Sequence, residues 1–233
     1  MVEGVHDMTI ITVFLALVFT LFGFTASLDA QRFDMVVRAD FFAGFGGDEA
    51  RLQKAMTTCE TILAENPTHA EALVWHGGGL LFRAGQRFQA GDAEKGFQLF
   101  QEGLAQMNQA AALQPANVAV LIPRGAVLLT ATRTMEATLA RPLLEQAVAD
   151  YEKVLSIQES FFATLGDHPR GELLFGLAEG SARLGRPEQA RLYFERLIKD
   201  APTSGQTVRA QEWLKTGTLP KIAGAGCIGC HKS

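Results

Sequence analysis

The sequence predicts an all-α fold: an array of helix-turn-helix units between an apolar N-terminal segment and a short C-terminal tail. Three observations predict it. From residue 31 onward apolar residues recur at helical spacing, and no run of strict apolar/polar alternation suggests a strand. The pattern is punctuated at Gly46-Gly47, Asn66-Pro67, Gly85, Gly91-Asp92, Gln114-Pro115, Asp167-His168-Pro169, Gly185-Arg186-Pro187 and Ala201-Pro202, all turn or helix-end signals. When the segments between these breaks are superimposed, Gly77 and Gly125 fall on one position of the unit, the sign of an internal repeat.

In chain order, residues 1–30 come first. Met8 to Leu28 is free of charge for 21 residues, enough to cross a bilayer and longer than the usual apolar core of a signal peptide. It reads as a retained membrane anchor or as an export signal. Thr25-Ala26-Ser27 and Leu28-Asp29-Ala30 are small-residue cleavage contexts that would leave Gln31 at the mature N-terminus. Met1 to Asp7 is acidic, contrary to both a signal peptide and the positive-inside rule, and a translation start at Met8 would remove the discrepancy. Both readings put the remainder outside the cytoplasm, in a periplasm, soluble after cleavage or tethered to the inner membrane.

The domain of residues 31–216 divides into four units and a closing helix. The unit over 171–204 is the clearest. Leu174, Leu177, Ala178 and Ser181 mark its first helix, and Leu184-Gly185-Arg186 its turn. Pro187 opens the second helix, where its missing N–H would have no helical partner in any case. Ala190, Phe194, Leu197 and Pro202 follow. The unit over 70–117 repeats the pattern with Leu73, His76, Gly77 and Leu80, then Gly103, Met107, Ala110 and Pro115. The unit over 118–161 has Leu121, Arg124, Gly125 and Leu128, then Ala147, Tyr151, Val154 and Glu159. A weaker unit spans 36–69, with Phe42, Ala43, Ala55, Cys59 and Pro67. Residues 206–215 form a last helix whose Val208, Trp213 and Leu214 cover the end of the stack.

This pattern resembles the tetratricopeptide repeat, with its W-x2-L-G-x2-Y, A-x3-F and P positions. Against that template the two middle units carry about fourteen and ten additional residues, at Gly85 to Ala93 and around Thr130 to Arg141. The resemblance implies an α-solenoid whose first helices line a concave face for protein partners. Transferred position by position, that face presents Val74, Gly78, Leu81, Ile122, Ala126, Leu129, Phe175, Glu179 and Arg183, a mostly apolar groove suited to a partner helix or a haem face. Gly77-Gly78-Gly79 lies inside a helical pattern and reads as a close-packing surface.

The tail, residues 217–233, begins as a tether containing Gly217, Pro220, Gly224 and Gly226, and then reads Cys227-Ile228-Gly229-Cys230-His231. CxxCH is the attachment signature of a c-type haem. In one helical turn the two sulfurs lie on one side, where each forms a thioether with a haem vinyl group, and His231 becomes the proximal iron ligand. A zinc site would need a second ligand pair, and a thioredoxin-like pair would follow a strand and open a helix. A disulfide or incidental thiol pair is the rival reading. The tail resembles the cytochrome c family in the motif alone, so that family's fold and distal methionine are not carried over.

The sixth iron position must then be filled from elsewhere. The sources are the array, another molecule or water; within the array His76 is the first candidate, beside the plainer reading of a hydrogen-bonded core histidine. His69 and His168, which flank inter-unit turns, are lesser candidates beside the reading of exposed turn residues, His6 precedes the apolar segment, and Met56, Met107 and Met135 read as core filling.

Composition excludes some classes. The chain is 48% hydrophobic with a formal charge of −4, and Glu3, Asp7 and Asp29 account for most of that charge, so no basic stripe suggests nucleic acid. No nucleophile-base arrangement or phosphate-cradling loop suggests an enzyme. The expected function is an exported monohaem c-type protein that carries electrons and docks protein partners, among them a redox partner. The alternative is a periplasmic interaction scaffold without haem.

Overall fold

A computed structural model describes residues 32–219. The apolar segment Met8–Leu28 and the motif residues Cys227, Cys230 and His231 lie outside the described residues. Among the described residues there are nine α-helices and no strand. They are α1 (Phe33–Phe45), α2 (Glu49–Glu65), α3 (Ala70–Gln89), α4 (Ala93–Leu113), α5 (Val118–Ala131), α6 (Ala137–Gln158), α7 (Asp167–Arg183), α8 (Pro187–Asp200) and α9 (Thr207–Thr216). Short 3-10 turns occupy Thr132–Thr134 and Glu159–Thr164. Consecutive helices pack as hairpins, α1/α2, α3/α4, α5/α6 and α7/α8, and α9 closes the row against α8.

Side-chain caps set where the helices begin. Asp48 accepts from the Arg51 N–H at 3.1 Å, Asp92 from Lys95 at 3.2 Å and Asn117 from Ala119 at 2.8 Å, each satisfying a donor that an α-helix leaves unpaired. His69 does the same for α3, its Nδ1 accepting from the Ala72 N–H at 3.1 Å. Pro187 stands at the start of α8. The α3/α4 and α7/α8 turns pass through Gly91 (φ +80°) and Gly185 (φ +75°), a backbone region that side chains resist.

Three boundaries differ from expectation. Gly85 does not interrupt α3, which runs through it to Gln89. The additional residues of the second unit lengthen both helices of the hairpin, because one helical glycine costs only about 1 kcal/mol and packing overrides it. In the third unit the additional length forms the 3-10 turn and the first turns of α6, with Pro142 inside that helix. The fourth unit starts at Asp167, four residues before the expected position 171.

Close approach of the helices is built on glycine. A Cβ at Gly77 would lie 2.6 Å from the Gly103 carbonyl oxygen, and one at Gly103 would lie 2.5 Å from that of Gly77, so α3 and α4 cross backbone to backbone. The buried ring of Tyr151 on α6 is held between Gly125 of α5 and Gly176 of α7. Burial pushes the Tyr151 phenol well above its usual pKa. Of two ion pairs with buried carboxylates, Arg124–Asp150 closes the third hairpin and Arg133–Glu179 ties it to the fourth. Arg124 grips Asp150 through two hydrogen bonds of 2.7 and 2.5 Å, and Arg133 grips Glu179 through bonds of 2.8 and 2.7 Å.

Candidate functional site

The face expected to form an open groove is closed. Val74, Leu81, Leu129 and Phe175 are core residues, and of the nine groove residues only Ile122, at 40%, is exposed. The cause is the glycine surface of the first helices. A Cβ at Gly78 would meet Val127 at 3.2 Å, and Cβ atoms at Gly176 and Gly180 would meet Leu129 at 3.3 and 3.4 Å. Bare backbone at these places lets α3 and α7 settle against α5, burying the side chains between them. Phe175 is further enclosed by the edge of Phe194 at 5.7 Å and by the Arg209 guanidinium 4.1 Å over its ring.

Glu179 and Arg183 are likewise committed. Arg183 donates to the Leu129 carbonyl at 2.9 Å and to Thr132 Oγ1 at 2.7 Å, and lies 3.5 Å from Glu179. Burial lowers the Arg183 pKa from its usual value, with Glu179 opposing that effect. This cluster knits the end of α5 to the end of α7, a structural duty in place of the expected partner contact.

His76 is also corrected. The Gln106 amide donates to Glu102 at 3.4 Å, and its carbonyl oxygen lies 2.7 Å from His76 Nδ1, a hydrogen bond that ties α3 to α4. The other ring nitrogen, Nε2, is shielded from solvent and lies 3.5 Å from Glu60 Oε1. The residue is 8% exposed, enclosed by α2 and α4. An imidazole held in this way joins three helices and offers no face to an iron.

The other expected residues separate by surroundings. Met56 and Met107 are fully buried, and Met135 is half-buried. Cys59 is buried, and desolvation pushes its thiol pKa up to about 12. His69 caps α3 and packs against Phe33 with ring centroids 4.9 Å apart. His168 is exposed on the first turn of α7.

Around His168 the structure gathers a polar cluster that the sequence alone does not announce. The neighbouring Asp167 carboxylate accepts from the Thr203 N–H at 2.8 Å and its hydroxyl at 2.5 Å, pinning the α8–α9 connection to the start of α7. Those bonds hold the Asp167 carboxyl below the usual carboxylate range. One turn further along α7, Glu172 accepts from Gln206 at 2.8 Å. The only sequence signal for this cluster was the Asp-His-Pro break itself.

Among the described residues no helix is long and apolar enough to cross a membrane, and no group of three or more His, Cys, Asp or Glu side chains converges as a metal site. No protein-family profile and no curated protein matches this chain. A solved structure similar to it is that of a thermophilic TPR protein from Thermus thermophilus, at 21% identity and a TM-score of 0.41. That match covers 77% of this chain and 96% of the other.

Proposed function

We propose that this is an exported monohaem c-type protein in which the helical-hairpin array docks a protein partner and the tail carries a haem for electron transfer. The observation that carries the reading is the spacing of Cys227, Cys230 and His231. The donor set fits the group: two thiols three residues apart and an adjacent imidazole, on a chain that leaves its last helix at Gly217 in the left-handed conformation (φ +67°). Cys227 and Cys230 would hold the haem c covalently and His231 would ligate its iron, and the bound haem supplies one-electron chemistry. The charge-free run Met8–Leu28 supports delivery to the periplasm, where attachment of this kind takes place. Cys59, buried and with its thiol pKa raised, does not compete as an attachment point.

The test is an alkaline pyridine spectrum and a haem stain on protein matured in a haem-attaching periplasm. One covalent haem per chain is expected, lost in the Cys227→Ala/Cys230→Ala variant. A colourless wild-type product with free thiols refutes the reading.

The described helices also support a second reading, an interaction scaffold without haem, because the hairpin array is complete before the tail begins. It predicts that truncation after Pro220 leaves partner binding unchanged.

A further inference from the structure

We propose that this chain self-associates through the outgrown edge of its second and third hairpins, the occupant of that edge being a second copy of the chain. The two places where the repeat is lengthened carry the surface. Arg83 donates to Glu49 at 3.1 Å and to Gln53 at 2.8 Å, so the start of α2 stands level with Arg83. From there α3 runs six residues further, to Gln89, about 9 Å at 1.5 Å per residue. Residues 86–95, which close this hairpin, are all exposed. Phe88 lies across Gly96, where a Cβ would meet its ring at 2.7 Å, and is still 43% exposed. Phe97, next along α4, is 56% exposed.

The third hairpin rises alongside. Successive helices reverse direction, so α4 and α6 run the same way, and Asn108 of α4 accepts from the Gln146 side chain of α6 at 2.7 Å. From that bond α4 reaches back 15 residues to Ala93, and α6 nine residues to Ala137. Phe97 therefore stands about 16 Å above the bond and Leu139 about 10 Å. By helical spacing Phe97 and Leu104 share the Asn108 face of α4, and Leu139 and Leu143 share the Gln146 face of α6. Phe100, Leu104 and Leu143 are half-buried at the base of this edge, whereas Leu139 is 64% exposed.

Area and charge identify the occupant. Phe88 and Phe97 together leave about one whole phenylalanine side chain open, roughly 200 Å². Leu139 adds about 100 Å². One such edge against a polar surface buries too little apolar area for a specific contact. Two copies supply about 600 Å², which at the apolar share of homodimer interfaces corresponds to about 900 Å² in all. The half-buried residues at the base bring this to roughly 1,000–1,200 Å², the lower end of specific interfaces. A two-fold axis places the same patch on both sides, so the patch must tolerate itself. Its charges do: Arg87 and Lys95 stand beside Asp92 and Glu94 at the α3/α4 turn, and Arg141 pairs with Glu145 on α6. That mixed rim has none of the lysine and arginine surplus that an anionic lipid surface selects. The interface makes no use of a haem and stands whether or not one is attached.

Sedimentation velocity of the full chain tests this, with the protein kept reduced so that cysteines cannot link copies. A monomer–dimer equilibrium is expected, with a Kd in the micromolar range for an interface of this size. Phe97→Glu and Leu139→Glu, on different helices, should each weaken it about tenfold or more. Both should keep the circular dichroism and thermal midpoint of the wild type, because the replaced side chains are exposed. Leu192→Glu, on α8 and equally exposed, should leave the equilibrium unchanged. A wild type that is monomeric throughout the micromolar range overturns the assignment, as does a dimer that survives both edge variants or is lost in Leu192→Glu. Capture by phosphatidylserine vesicles that Phe97→Glu abolishes, with the chain monomeric in solution, gives the edge to a lipid surface and overturns it too.

Discussion

Gly77 and Gly85 lie two turns apart on α3, and alanine at each should move stability in opposite directions. At Gly85 an added methyl group meets nothing within 4 Å. The substitution gains helix propensity of about 0.5–1 kcal/mol and should raise the midpoint by about 1–4 °C for a protein of this size. At Gly77 the same propensity gain of about 1 kcal/mol is opposed by a methyl group placed 2.6 Å from the Gly103 carbonyl oxygen and 2.8 Å from Met107 Cγ. A methionine tail can turn aside, but a backbone oxygen in the facing helix moves only if α3 and α4 separate. Overpacking of this kind costs about 1–3 kcal/mol, and a clash with backbone belongs at the upper end. The net loss is about 2 kcal/mol, or roughly 4–8 °C in the thermal midpoint. Gly103→Ala should behave like Gly77→Ala, and the double variant should lose less than the sum of the two, because one helix separation relieves both clashes. Thermal and urea unfolding followed by circular dichroism compare the four variants with wild type. A Gly77→Ala variant as stable as wild type, or more so, would refute the backbone-to-backbone crossing.

Three further perturbations test other parts of the packing. Asp150→Ala leaves the Arg124 guanidinium buried beside Asn108 without its carboxylate, and should cost about 3–5 kcal/mol in urea unfolding; the double variant Arg124→Met/Asp150→Leu should recover much of that loss. Cys59, with its thiol pKa raised by burial, should resist a thiol reagent at pH 8 in the folded protein and react fully in denaturant; rapid labelling of the native protein would contradict its burial. Asp167 has a folded pKa below its ordinary 3.8, so its contribution is fully present above that pH and is lost as pH falls through the lower, folded value. Asp167→Asn should therefore flatten the acid limb of the stability curve below pH 3.8, and an unchanged limb would show that the Thr203 contact carries no linkage.

What was legible in the sequence, and what was not, divides along a physical line. Leu174, Leu177, Ala190, Phe194 and Leu197 are all fully buried, because burial on one helix face writes a 3.6-residue period that needs no knowledge of neighbours. The groove expected from Val74, Leu81, Leu129 and Phe175 depends on how near the next unit comes, and periodicity does not encode that distance. It is encoded by Gly78, Gly176 and Gly180, whose missing Cβ atoms admit a neighbouring helix to van der Waals contact. A glycine read as a helix defect is here a statement about the opposing surface. His76 and His168 divide along the same line. Both stand in helices, yet one faces Gln106 and Glu60 across two interfaces while the other stands at an exposed first turn beside the last connection. Sequence spacing places them on their helices with equal success. Only the packing of α3 between α2 and α4 makes His76 a strut, and only the bonds from Asp167 and Glu172 to the α8–α9 connection fix the first turns of α7, on which His168 stands.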